Sequence, residues 1–290
     1  MNITISGASG FVGRRLLKVL SGAGHELHVL SRHAGTNLPP RVRLSVWDPL
    51  TGPPPQESVR NAEVVMHLAG EPVAQRWTAN AKAKIRDSRV TGTRHLVESL
   101  AALPDLYALG PLEGVRGEVS IFRSRPSIAR VEHGAVITTD EWAVRACFLV
   151  WAQVPAWHVR EVEAPIGDLE SIAEAAVAIA RKLGIDASRP FPFRVTGTAR
   201  DATLHVLDKR DGLPHTAERH EHAKVRHRVA DAAVELIAFY SRDHRGVFTP
   251  GDSDVHAHVR AADGRVSGHL ERIRLDRGAK IGIPRANVIP

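Results

Sequence analysis

Three histidines, His256, His258 and His269, have types and spacing that could hold a metal ion. In Asp254-Val-His-Ala-His-Val-Arg260 the apolar Val255, Ala257 and Val259 alternate with His256, His258 and Arg260, so the two imidazoles project from one face of a strand. Ala261-Ala-Asp-Gly264 supplies hairpin-turn chemistry, and the returning Val266-Ser-Gly-His269 can bring a third imidazole beside the first two. Three histidines on paired strands describe an open metal site whose remaining position takes water or substrate. The same pattern also fits two surface histidines on an edge strand and an unrelated third.

A second candidate lies at the N-terminus. Asn2 to Ser6 is a short β-branched strand that runs into Gly7-Ala-Ser-Gly10-Phe-Val-Gly13, and an amphipathic helix follows from about Arg14 to Leu20. Gly7 permits the tight turn, Gly10 lets backbone N–H groups approach a pyrophosphate, and Gly13 allows close packing of helix on strand. A second strand, Glu26 to Leu30, leads to Arg32, where an acidic residue would hold a ribose 2′-hydroxyl. An arginine there favours the 2′-phosphate of NADP; a solvated loop arginine fits as well.

The elements that must position these residues fall into two groups. Val42 to Trp47 and the nearly apolar Glu63 to Gly70 read as further strands of a parallel sheet, followed by a helix from Ala79 to about Leu100. Beyond residue 103 the strand-like stretches are Gly117 to Phe122, Phe148 to Ala152, Pro190 to Gly197, Thr203 to Leu207 and Val234 to Tyr240. A helix spans about Ile166 to Leu183 and stops at Gly184, while the polar stretch from His215 to His227 reads as a solvated loop.

Composition bounds the possibilities. A chain of 290 residues with 43% hydrophobic content makes one large or two ordinary domains with real cores. With no basic, apolar leader and no apolar run of spanning length, a cytoplasmic protein without membrane partners is expected. The single Cys147, in an apolar stretch, is expected to be a buried structural thiol. Of the net charge of +7, residues 1–103 carry +6 and residues 104–290 carry +1, which suits a phosphate-bearing ligand on the first part. No basic run interleaved with aromatics is present, so nucleic acid is not an expected partner.

Ile5-Ser-Gly-Ala-Ser-Gly-Phe-Val-Gly13, His67-Leu-Ala-Gly-Glu-Pro72 and Arg86-Asp-Ser-Arg-Val-Thr-Gly-Thr-Arg94 resemble the epimerase-like branch of the extended short-chain dehydrogenase/reductase superfamily. The resemblance covers about the first 103 residues. With Arg32, it implies an NADP site at Gly7, Gly10, Phe11, Val12, Gly13, Leu68, Ala69 and Gly70. That superfamily works with a Tyr-x-x-x-Lys pair, but here Tyr107 is followed at i+4 by Pro111 and Tyr240 by His244, so redox or epimerase chemistry by that route is not expected.

Leu106 to Val119 and Phe239 to Leu270 resemble a short, divergent form of the α-acetolactate decarboxylase family, over residues 104–290. The resemblance implies zinc on His256, His258 and His269, with Glu118 of the Gly117-Glu118 pair as proton donor or orienting carboxylate. The implied reaction is loss of CO2 from a 2-hydroxy-3-oxo acid, such as acetolactate giving acetoin, through a metal-bound enediolate. A cation should hold the departing carboxylate. Counting from Gly197 puts that position near His205, and of the two candidate arginines, Arg194 and Arg210, Arg194 is nominated. The family's second catalytic glutamate, beyond the third metal histidine, has only Glu271 as a counterpart.

The expected architecture is therefore α/β plus α+β: a truncated Rossmann-like parallel sheet over residues 1–103, then a β-rich mixed domain over 104–290 with a metal-binding hairpin. The expected activity is that of a zinc-dependent carboxy-lyase on a small hydroxy-keto acid. The alternatives are an NADP-binding, epimerase-like protein with a structural or partner-binding second part, or a non-catalytic fusion. The fourth strand, left exposed, should pack on the second part or drive homo-oligomerisation.

Overall fold

A computed structural model describes residues 2–285 apart from 36, 37, 61, 63, 143, 148, 214 and 215. Glu63, Phe148 and His215, which the sequence placed at the starts of two strands and a loop, lie outside the described residues. The chain divides into two compact units at Leu103/Pro104.

In the first unit the β-branched and apolar stretches form a four-stranded parallel sheet, in the order β3-β2-β1-β4, from β1 (Asn2–Ser6), β2 (Glu26–Ser31), β3 (Arg43–Val46) and β4 (Val64–His67). Helices α1 (Phe11–Gly22), α2 (Glu57–Arg60) and α3 (Ala79–Ala101) connect or follow the strands. Ile3, Ile5, Leu17, Leu27 and Val29 make the core. Helix α1 begins at Phe11, three residues before the amphipathic pattern becomes legible. Thr78 caps α3 by accepting a hydrogen bond from the Ala81 N–H.

The second unit holds two sheets. The smaller, in the order β8-β7-β6-β5-β9, comprises β5 (Leu106–Pro111), β6 (Glu118–Phe122), β7 (Arg125–Glu132), β8 (Ala135–Thr139) and β9 (Val150–Gln153). The larger contains β10 (Trp157–Val162), β11 (Phe191–Leu207), β12 (Lys224–Tyr240), β13 (Val255–Ala261), β14 (Ser267–Leu275) and β15 (Ala279–Pro284). Helices α4 (Leu169–Lys182) and α5 (Ala217–His222) complete the unit.

Strand β11 sets the topology. Its first half pairs with β15 at Arg194 to Thr196, and after a register shift between Ala199 and Asp201 its second half pairs with β14, down to His205 opposite His269. Because β11 also pairs with β12, β12 with β13 and β13 with β14, the strands β11 to β14 close on themselves. A closed sheet has an interior that side chains must fill. Helix α4 covers this sheet with Ile172, Ala173, Ala176, Val177 and Ala180, the stripe expected of an amphipathic helix. It is capped by Asp168, which accepts from the Ser171 N–H, and stops at Gly184, whose φ is 76°.

Two local readings are corrected. The two strands read at 190–197 and 203–207 are one, because a bulge rather than a turn separates them. Cys147 is exposed, its Sγ 3.1 Å from the Leu112 carbonyl oxygen, so the apolar residues around it do not bury the thiol.

Candidate metal centre

The β13–β14 hairpin forms as the sequence implies. Gly264, at a φ of 73°, donates its N–H to Ala261 O, Ala261 donates to Val266 O, and the register sets His258 directly opposite His269. His256 and His258 share a face of β13, and that face is buried rather than solvated, with exposures of 6% and 0%. One ring nitrogen from each of His256, His258 and His269 lies within 4.8 Å of the others, and the ring centroids are 4.8 to 5.4 Å apart. The three imidazoles therefore converge, as a shared ion requires.

Two of the rings are held from behind. His256 Nδ1 lies 2.7 Å from the Phe248 carbonyl oxygen, which can only accept, so the proton sits on Nδ1 and the lone pair on Nε2. His258 Nδ1 is 2.9 Å from Ser120 Oγ, while its Nε2 is buried with no hydrogen-bond partner and lies 3.7 Å from Glu118 Oε2. Burial pushes the pKa of His256 down to about 4 and those of His258 and His269 well below the usual imidazole range. Neutral imidazoles, one with an orphaned buried ring nitrogen, are the donor type that zinc takes.

Glu118 opens β6 and is 2% exposed, with Oε1 buried and unpartnered. Burial raises its pKa well above the carboxylate range, against a smaller lowering from a backbone hydrogen bond at Leu207, which favours the protonated form. Its aim depends on Gly117, which has a φ of 130° and where a Cβ would come 2.4 Å from Leu112 Cδ1 and 2.5 Å from Ala129 O.

A cavity of about 980 Å³ adjoins these groups and is lined by Glu118, His256 and His269 among others. Also on its wall are His205, His220, Lys224 and Glu271, of which the sequence singled out Glu271 as the counterpart of a family glutamate and His205 as the counted position of a cation. Arg194 is not brought there. It sits 3.7 Å from Glu235, which Arg260 also holds at 2.6 Å. The position counted from Gly197 is occupied by His205 itself, 2% exposed.

In the first unit, the Gly7–Gly13 turn and the Leu68–Gly70 segment lie side by side. A Cβ on Gly7 would fall 2.6 Å from Ala69 N, and one on Gly13 would fall 2.2 Å from Gly7 O, so neither position admits a side chain. Gly10 is the N-cap of α1 with no side-chain cap, and the first turn carries no acid. Phe11 and Val12 are 90% and 58% exposed, and Arg32 is exposed just beyond β2. Such a helix start, with uncapped N–H groups behind a glycine turn, fits a pyrophosphate.

The NAD dependent epimerase/dehydratase family model matches residues 3–109. The epimerase family protein YfhF of Bacillus subtilis is 33% identical over 96 residues, covering 33% of this chain and 31% of that protein. The bovine epimerase family protein SDR39U1 is 30% identical over 107 residues, covering 36% and 33%. The chain thus spans about a third of the length of the curated relatives it matches. Among solved structures, a Staphylococcus aureus protein of unknown function similar to α-acetolactate decarboxylase matches with a TM-score of 0.50 at 12% identity, over 64% of this chain and 75% of that one. The second unit has the acetolactate decarboxylase fold. The α-acetolactate decarboxylase of Bacillus subtilis itself matches with a TM-score of 0.50 at 11% identity, over 65% of this chain and 76% of that chain. The epimerase likeness is one of sequence, and the decarboxylase likeness is one of fold.

Proposed function

We propose that the second unit is a metal-dependent decarboxylase acting on a 2-hydroxy-3-oxo acid such as acetolactate, with zinc held by His256, His258 and His269. The observation that carries this reading is the convergence of three imidazoles, two of them buried and one half-buried, beside a buried carboxyl group and a cavity. Zinc, when bound, supplies a Lewis acid that draws electron density from substrate oxygens. The chain's own residues do the rest. The cavity walls orient the acid so that the bond between its carboxyl carbon and C2 breaks, releasing CO2 and leaving the electron pair on C2 in conjugation with the neighbouring ketone. Glu118, protonated because it is buried, gives its Oε proton to that carbon and regains one from solvent after product leaves. The Phe248 carbonyl holds His256 in the tautomer that ligation needs, and Ser120 holds the ring of His258 in place.

Acetoin and CO2 released from acetolactate by the zinc-loaded protein test the reading. Glu118→Gln keeps the shape but has no acidic proton, and turnover should fall at least about a hundredfold, the usual worth of a positioned acid. Wild-type protein that holds zinc but forms no acetoin would overturn the assignment of substrate.

A second reading concerns the first unit alone, and the Gly7–Gly13 cradle favours it. This unit binds NADP, with the pyrophosphate at the start of α1 and the 2′-phosphate at Arg32. NADPH fluorescence should saturate on titration with wild-type protein and not with Gly10→Asp; an undiminished response in that variant would remove the assignment.

A further inference from the structure

We propose that a second cavity, at the Arg260 end of β13, binds a small acidic sugar, its anionic group held by Arg125 and Arg260 and its hydroxyls by Asp140. This cavity has a volume of about 660 Å³, within the roughly 300–1,000 Å³ of small-molecule sites. It shares no wall residue with the cavity beside the histidines, so the inference stands apart from the metal reading.

Strand pairing brings the two arginines together. Phe122 of β6 is paired with Arg125 of β7, and directly opposed residues of an antiparallel pair project from the same face. The Arg260 guanidinium lies 4.2 Å over the centre of the Phe122 ring, so both cations belong to that face, and both line the cavity. Arg260 is held still, with Nε and Nη2 at 3.1 and 2.6 Å from Glu235 Oε2, which leaves Nη1 and its two N–H groups without a hydrogen bond among the described residues. Its side chain is still a quarter exposed. Glu235 also faces Arg194 at 3.7 Å, so one negative charge is shared between two guanidiniums. Arg125 is exposed and has no ion pair among the described residues. Like charges on one wall repel each other, and an anionic guest relieves this while taking charge-assisted hydrogen bonds from planar guanidinium forks. Asp140, exposed and also without an ion pair among the described residues, lines the same cavity. A carboxylate accepts but cannot donate, so it opposes a bare anion and favours one that also carries hydroxyl groups. Trp142, half-buried against the Leu106 and Ala108 cluster, adds an apolar wall for the C–H face of a sugar ring.

Calorimetric titration of the full chain with glucose 6-phosphate, glucuronate, glucose and inorganic phosphate tests this. One or both of the acidic sugars should bind with a Kd of about 1 mM or tighter, and the tighter of the two identifies the anionic group as phosphate or carboxylate. Glucose and inorganic phosphate, each lacking half of what the walls recognise, should bind at least about tenfold more weakly than that acid. Arg125→Ala, at an exposed position that leaves the fold intact, should weaken the acid about tenfold. Arg260→Lys keeps a charge beside Glu235 but loses the fork, and should weaken it by a similar factor. Asp140→Asn should narrow the preference for the acidic sugar over inorganic phosphate at least about threefold. Neither acid binding as tightly as about 1 mM, glucose matching its acid, or an unchanged affinity in Arg125→Ala would overturn the proposal. Binding lost in Gly10→Asp but kept in Arg125→Ala would put the guest in the first unit and overturn it too.

Discussion

His258 is held from behind by Ser120, a residue type that carries no metal signature in a sequence. Removing that hydroxyl leaves the ring free to change tautomer and tilt, so Ser120→Ala should weaken zinc binding by about 10- to 100-fold while the fold persists, measured by competition with a chromophoric chelator. The same burial gives the zinc-free protein a pH dependence. With folded-state pKa values depressed below the unfolded value of 6.5, that of His256 to about 4 and those of His258 and His269 well below their usual range, the unfolded chain binds more protons as pH falls below 6.5. Their contribution to stability is therefore fully present above 6.5 and is lost on acidification toward 4. Glu118, shifted upward, acts in the opposite sense, since its protonated folded form favours folding most at low pH, but it is one group against three. The thermal midpoint of zinc-free protein should fall steadily from pH 7 to pH 5; a flat profile would show that the triad is solvated.

At the scale of elements, the hairpin was legible because everything that defines it is local: alternation along β13, the glycine turn, and a return strand of matching register. What surrounds the hairpin was not, because it arrives by distant pairing. His205 sits in Thr203-Leu-His-Val-Leu207, a plain strand pattern, and only the β11–β14 register brings it against His269. Lys224 and His220 come from a stretch that reads as a polar loop but forms α5 and the start of β12. Arg194 illustrates the limit of counting: eleven positions from His205 on one strand is a separation of about 36 Å if extended. Gly268 joins these elements. A Cβ there would lie 2.6 Å from His205 O and 2.9 Å from Leu204 Cδ1, so β14 could not approach β11. Gly268→Ala should destabilise the second unit by about 2 kcal/mol or more and lower zinc affinity, whereas Gly251→Ala, with open space around it, should do neither.

For the whole molecule, two units with separate cores and separate resemblances imply ligand responses confined to each. In hydrogen exchange, zinc should slow amides of residues 104–285 and NADPH those of residues 2–103. The boundary was legible because the epimerase-like motifs cease near residue 103; the closed sheet beyond it was not, since closure depends on pairings far apart in the chain. No helix among the described residues is long and apolar enough to cross a membrane. Strand β4 is the edge of the first unit's sheet, so its amides, from Val64 to Leu68, should be protected only where another surface covers them. Rapid exchange there in a monodisperse monomer would exclude both docking and self-association through that edge. The most direct test of the metal centre is zinc stoichiometry combined with X-ray absorption at the zinc edge. Wild-type protein should carry about one zinc per chain with three nitrogen neighbours at about 2.0–2.1 Å, and His256→Ala/His258→Ala should carry none; a wild type without zinc, or a double variant that retains it, would contradict the three-histidine site.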